Sequence, residues 1–280
     1  MLNPLTFSTL ACPQWSIEDI IGNAVAFGYD GIEWRGGPDG HLNPSASKTD
    51  RMTLQNAVQD AGLISLGITA YTSFVSDVPS ERQKHVEELR RYADLAAEVG
   101  AGHVRAFLGE LPPDIQPDPQ LLAQIAKCLL DAADYARSVD VIVTIEPHDD
   151  FIRSASVAPI LEQAPHPSLK VIWDVGNTYA VGENPMEGYS LLGKRLAYIH
   201  MKDGWGQGDA WRLGPVGAGE VPLSEIIRLL LTNGFTGAWN VEWEWAWHPE
   251  LDPPEIALPH AAKVIRKLLA AHTVPETVIT

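Results

Sequence analysis

The stretch VTIEPHDD (residues 143–150) decides how this chain is read. Residues 141–145, Val-Ile-Val-Thr-Ile, form a short β-branched run of the kind that fills a buried strand. That run passes directly into Glu146, Pro147, His148, Asp149 and Asp150. A solvated turn is the plain account of such a junction; a metal or acid–base site at a strand end is the other. The junction recurs three times downstream, where LKVIWD (169–174) ends at Asp174, LAYIHM (196–201) carries His200 and AWNVEWEW (238–245) carries Glu242. Glu146 and Asp174 are 28 residues apart, and Asp174 and His200 are 26 apart, close to one strand–helix unit of about 30 residues. The longer interval to Glu242 is filled by the Gly-rich segment DGWGQGDAWRLGPVGAGE (203–220).

Outward from this region the same alternation covers the chain. Strand patterns are expected at 4–12, 31–35, 63–71 and 102–108, and then at 141–146, 169–174, 196–201 and 238–245. Helical patterns lie between them at 16–28, 49–62, 80–100, 118–139, 154–164, 185–194 and 222–234, with Ser16 as a cap and Gly28 as a stop for the first. The last, 254–272, is expected to be interrupted at Pro259. Eight strand–helix units argue for a parallel sheet and, in 280 residues, for closure into a barrel. The expected fold is therefore α/β, a single (β/α)8 TIM barrel spanning 1–280 as one domain. A doubly wound open sheet is the alternative, but no GxGxxG follows the first strand.

Composition narrows the function classes. Twenty Lys+Arg against 36 Asp+Glu give a net charge of −16, which repels a phosphate backbone and an anionic lipid surface. No nucleic acid and no membrane partner is expected. Cys12 and Cys128 fit no metal or redox spacing, and a reducing compartment is the simplest setting. The opening MLNPLTFSTLACPQWS lacks the basic and apolar regions of a signal peptide, and no apolar run approaches the roughly 20 residues of a membrane span. A cytoplasmic location and a small carbohydrate-like substrate are expected; oligomeric state is not readable.

In a (β/α)8 barrel the chemistry gathers at the C-terminal ends of the strands, so four consecutive units deliver Glu146, Asp174, His200 and Glu242 to one rim. A single polar strand end is usually a helix cap or a loop residue. Several unneutralised carboxylates held together would destabilise the fold and call for a cation. Three carboxylates and an imidazole suit one divalent ion, Mn2+ or Mg2+ first and Co2+ or Zn2+ after them, whereas a structural zinc site would want thiolates.

The motifs IEPHDDF, WDVGN, HMKDG and WNVEWE, together with GYDGIEWR (28–35) and GPVGAGEVP (214–222), resemble those of the xylose isomerase-like TIM-barrel superfamily, in its sugar phosphate isomerase/epimerase branch. The likeness covers essentially the whole chain. It implies that Glu146, Asp174, His200 and Glu242 bind one divalent metal and that Glu146 and Glu242 are also the acid–base pair. Ketose 3-epimerases of this superfamily carry a His three residues after the metal Asp and a Glu six residues after the first metal Glu. This chain has Asn177 and Ile152 there, which points away from a free-ketose 3-epimerase.

A metal bridging two oxygens of a hydroxy-ketone acidifies the proton between them and stabilises the enediolate, while one carboxylate removes the proton and a second returns it. The expected activity is a metal-dependent isomerase or epimerase of a sugar or polyol-derived hydroxy-ketone. A dehydratase of an inosose or dehydroshikimate-type substrate is the alternative. An abasic-site endonuclease needs more metals and a basic face, and a non-catalytic sugar-binding barrel needs no acid–base pair; both rank lower. Expected substrate contacts are His148, Lys202, Arg105, Arg212, Asn177 and Glu33, the last also as an acid for Arg105 to pair with. Trp239, Trp243, Trp245 and Trp247 are candidates for stacking on a sugar face.

Overall fold

A computed structural model describes residues 3–113 and 116–272. Eight parallel strands close a barrel: β1 (Leu5–Ser8), β2 (Gly31–Arg35), β3 (Ile64–Thr69), β4 (His103–Ala106), β5 (Ile142–Ile145), β6 (Leu169–Asp174), β7 (Leu196–Met201) and, closing onto β1, β10 (Trp239–Val241). Between β7 and β10 lies a separate antiparallel hairpin, β8 (Asp203–Trp205) and β9 (Arg212–Gly214). The outer helices are α1 (Ile17–Phe27), α2 (Lys48–Asp60), α3 (Pro79–Val99), α4 (Pro119–Ser138), α5 (Ser154–Gln163), α6 (Val175–Ala180), α7 (Pro185–Leu192), α8 (Leu223–Thr232) and α9 (Pro254–His272).

Local chemistry sets these boundaries. The Ser16 hydroxyl accepts from the Asp19 N–H while Asp19 accepts from the Ser16 N–H, and Gly28 ends α1 at φ 77°. The strands are buried almost throughout because helices cover one face and the barrel interior the other. A small cluster of Leu66, Ile172, Tyr198 and Ala238 comes from opposite sides of the barrel and fills its middle.

Three expectations need correction. The first strand stops at Ser8, where a 3-10 turn (Thr9–Ala11) begins under the Ser8 cap. The last strand stops at Val241, so Glu242 and Glu244 sit in the loop after it. Helix α9 runs unbroken through Pro259, because buried Ala257, Leu258, Ala261, Ala262 and Ile265 hold it against the barrel and outweigh one missing hydrogen bond. No described helix is long and apolar enough to cross a membrane.

Candidate metal and acid–base site

Strand register puts the site at one height. Asp174 pairs with His200 across β6 and β7, and His200 pairs with Asn240 across β7 and β10. Glu146 and Glu242 each extend their ladder by one residue, their N–H groups donating to Ala106 and Met201 carbonyls at 3.3 Å. One ligand atom from each of Glu146, Asp174, His200 and Glu242 falls within 4.8 Å of the others, and all four side chains are buried.

Each of the four is held from behind. Asp174 caps α6: one oxygen accepts from the Asn177 N–H at 2.8 Å, so the cap reading is correct for that oxygen. Its other oxygen, Oδ2, lies 2.7 Å from Lys202 Nζ but out of hydrogen-bond alignment, and has no donor. A buried carboxylate oxygen without a donor is what a cation site would show. His200 Nε2 lies 3.1 Å from Glu33, which also accepts from the Tyr198 hydroxyl at 2.7 Å and the Asn240 amide at 3.0 Å. A carboxylate can only accept, so Nε2 carries a proton toward Glu33, and Nδ1, which also faces carboxylates, carries one that a bound ion would replace. Nδ1 sits 3.0 Å from Glu146 Oε1 and 3.3 Å from Glu242 Oε1.

The two glutamates have matching surroundings. Glu146 Oε2 receives Arg105 Nη1 at 2.7 Å, and Glu242 Oε2 lies 2.7 Å from Lys202 Nζ. Burial would push both carboxyls up. For Glu146 the charges of His200 and Arg105 outweigh it and hold the group at about 2; for Glu242, Lys202 and His200 hold it well below the carboxylate range. Burial wins at Asp174, pushing it up to about 7 against the pull of Lys202. At His200 burial opposes the charge, but Glu33, Glu242 and Glu146 lift the imidazole well above its ordinary range. Five buried or half-buried carboxylates (Glu33, Glu146, Asp174, Glu242, Glu244) thus face three cations, Arg105, Lys202 and the protonated His200. The protein's own cations do not balance the set; a divalent ion would, and the oxygen-rich donors fit one.

Above the cluster a cavity of about 400 Å3 is walled by Leu10, Tyr71, Arg105, Phe107, Trp247 and the carboxylates of Glu146 and Glu242. Arg105, 3% exposed, lies 3.9 Å over the Phe107 ring and 5.3 Å from that of Tyr71; its Nε and Nη2 have no partner. A second cavity of about 570 Å3 adjoins it, sharing His148, Glu244 and His248. A larger one, about 680 Å3 and lined by Ser73, Pro112 and Gln124 among others, holds none of the cluster.

The expected contacts sort accordingly. Lys202, 2% exposed, bridges Asp174, Glu242 and Glu244 and donates to the Asn177 amide oxygen at 3.1 Å. His148 stands between the two cavities, its Nδ1 2.6 Å from Asp149, and Asn177 and Arg212 line the second. Glu33 is the exception: it is fully buried beneath His200, lines neither cavity and pairs with His200, Tyr198 and Asn240 rather than with Arg105, which binds Glu146. Of the four tryptophans, Trp239 and Trp243 are core, Trp245 packs against the core, and Trp247 reaches the cavity with Arg35 stacked on its ring at 4.5 Å. Sequence reading missed Tyr198 and Asn240, although each lies two residues before a site residue, Tyr198 on the same strand as His200 and Asn240 just before the strand end that leads to Glu242. Phe107 alternates with Arg105 and carried the same signal, whereas Tyr71 and Trp211 carried none.

A closed barrel with its buried polar cluster at the strand ends defines the class. Residues 21–268 match the model of the xylose isomerase-like TIM barrel family, and the chain belongs to that family. It is 25% identical over 241 residues to fructoselysine 3-epimerase of Escherichia coli O157:H7, covering 81% of this chain and 85% of the relative. Among solved structures it is similar to an L-ribulose 3-epimerase (TM-score 0.82, 16% identity, 97% of this chain and 96% of the other). It is also similar to the probable 3-DHS dehydratase AsbF from Bacillus anthracis (TM-score 0.74, 19% identity, 94% and 98%).

Proposed function

We propose that the chain is a divalent-metal-dependent isomerase or epimerase acting on a sugar or polyol-derived hydroxy-ketone, with Glu146 and Glu242 as its acid–base pair. The observation that carries this reading is their twin setting. Both line the cavity, both turn one oxygen toward His200 and the ligand set, and each has its second oxygen on a buried cation, Arg105 or Lys202. Glu146, Asp174, His200 and Glu242 would hold the ion. A divalent cation bound there would polarise the carbonyl and neighbouring hydroxyl of the substrate, making the C–H between them acidic.

The rest of the work falls to the side chains. One glutamate takes the proton from that carbon and the other delivers a proton, to the opposite face in an epimerase or to the adjacent carbon in an isomerase. Arg105 Nε and Nη2, buried without partners, bind a substrate oxygen and gather the charge that develops on it. Tyr71, Phe107 and Trp247 keep water from the reacting carbon. The names of the relatives support carbohydrate ketone chemistry.

A dehydratase is the second reading, favoured by His148. Burial lowers the pKa of this imidazole, but Asp149 and Glu146 more than offset that and raise it, so a protonated His148 at the cavity wall could assist the departure of a hydroxyl.

The test is solvent exchange. Metal-loaded protein is incubated in D2O with ketoses, inososes and dehydroshikimate and followed by NMR. Deuterium entering beside the carbonyl, and its loss by at least 100-fold in both Glu146→Gln and Glu242→Gln, is expected. Exchange that survives in both variants would overturn the assignment; a dehydrated product would select the second reading.

A further inference from the structure

The cavity that holds Glu146 and Glu242 is only the inner half of a longer cleft. The outer chamber, about 570 Å3, is larger than the inner one, about 400 Å3, and joins it at His148, Glu244 and His248. Together they have the capacity of sites that enclose ligands larger than one small sugar, ~300–1,000 Å3. We propose that the outer chamber is a second subsite and that the substrate is a ketose bearing an apolar arm that ends in a carboxylate. This inference rests on the isomerase or epimerase reading of the inner chamber.

The chemistry of the outer wall selects the arm. Its apolar surface is Trp211, Leu213 and Leu251, a face for an aliphatic chain. Its acids are engaged: Glu244 receives Lys202, and Glu250 lies 3.2 Å from His248 Nδ1. Arg212 differs. It lines the chamber, stands exposed to solvent and makes no ion pair or side-chain hydrogen bond with any described residue, so it is free to engage a ligand. A guanidinium without a partner is matched by a carboxylate, which it binds through two parallel N–H donors. A phosphate dianion would bring a second negative charge toward Glu244 and Glu250.

The wall that carries Arg212 is built rather than draped. Asp203, 2% exposed, accepts from the backbone N–H groups of Gly204, Gly217, Gly219 and Val221 and so ties both ends of the 203–221 segment together. The hairpin pairs Asp203 with Gly214, Gly204 with Leu213 and Trp205 with Arg212. A Cβ at Gly204 would come 2.3 Å from the Arg212 carbonyl oxygen across the hairpin, so only glycine lets the two strands close. Trp211 is braced by Tyr179, ring centres 6.1 Å apart.

The experiment is calorimetric titration of the metal-loaded protein with three probes: D-fructose, its 1-deoxy-1-amino conjugate with 6-aminohexanoate, and the conjugate with hexylamine. The carboxylate-ended conjugate is expected to bind at least tenfold tighter than D-fructose and several-fold tighter than the hexylamine conjugate. Arg212→Ala is expected to remove the advantage of the carboxylate, and Arg212→Lys to restore part of it. D-fructose bound as well as the conjugates, or a carboxylate advantage untouched by Arg212→Ala, would overturn the second subsite while leaving the inner-chamber reading standing. Binding of none of the three by protein that holds its metal would overturn both.

Discussion

Glu33 is the residue on which the geometry of the cluster turns. It receives Tyr198, Asn240 and His200 together, with no exposure to solvent, and so decides which nitrogen of His200 is left to bind an ion. Loss of such a partner behind a metal-binding histidine costs about 10–100-fold in affinity. Glu33→Gln is expected to weaken divalent-metal binding by that factor while the far-UV circular dichroism stays native; unchanged affinity would remove Glu33 from the role. At this scale the sequence was legible where an apolar run struck a charge, as at Ile145–Glu146 and Trp173–Asp174. It was not legible at Glu33, because alternation along a strand says which face a side chain takes but not how deep in the barrel it lies.

Among elements, the β8–β9 hairpin is the clearest departure from expectation. Its Gly-rich sequence offers little β-propensity, and a loop was the natural reading. It folds because the Asp203 carboxylate gathers four backbone donors, those of Gly204 and Val221 buried and those of Gly217 and Gly219 partly so. Asp203→Ala removes that acceptor. The expected cost is ~3 kcal/mol in denaturant unfolding, at the upper end of what an unsatisfied buried group brings, with faster hydrogen exchange concentrated in 203–221. A stability loss without local exchange would show that the loop is held elsewhere. Helix α6 was missed for a different reason: six residues are too few to display a helical period, and its cap is Asp174, whose other oxygen belongs to the site. Strand–helix order was legible throughout because each long helix carries its apolar stripe and the barrel strands are short buried segments between them. The Pro259 break failed because packing overrode a local rule.

For the whole molecule, barrel closure is what turns a sequence pattern into chemistry. The residues 146, 174, 200 and 242 belong to four strand ends, and only the circular order of the strands brings them within 4.8 Å. That convergence leaves more buried negative charge than Arg105, Lys202 and His200 neutralise. A divalent ion that binds the folded chain alone should therefore stabilise all of it. At a concentration about 100 times its Kd, binding adds ~2.7 kcal/mol, which for a chain of this size raises Tm by roughly 5–10 °C. The most direct measurement is the stoichiometry and Tm effect of Mn2+, Mg2+, Co2+ and Zn2+ on the native chain, Glu146→Gln and Asp174→Asn. One ion per native chain, with the rise in Tm lost or strongly reduced in both variants, is the predicted result. A folded native chain that takes up no divalent ion, or variants that bind it as tightly as the native chain, would contradict the account.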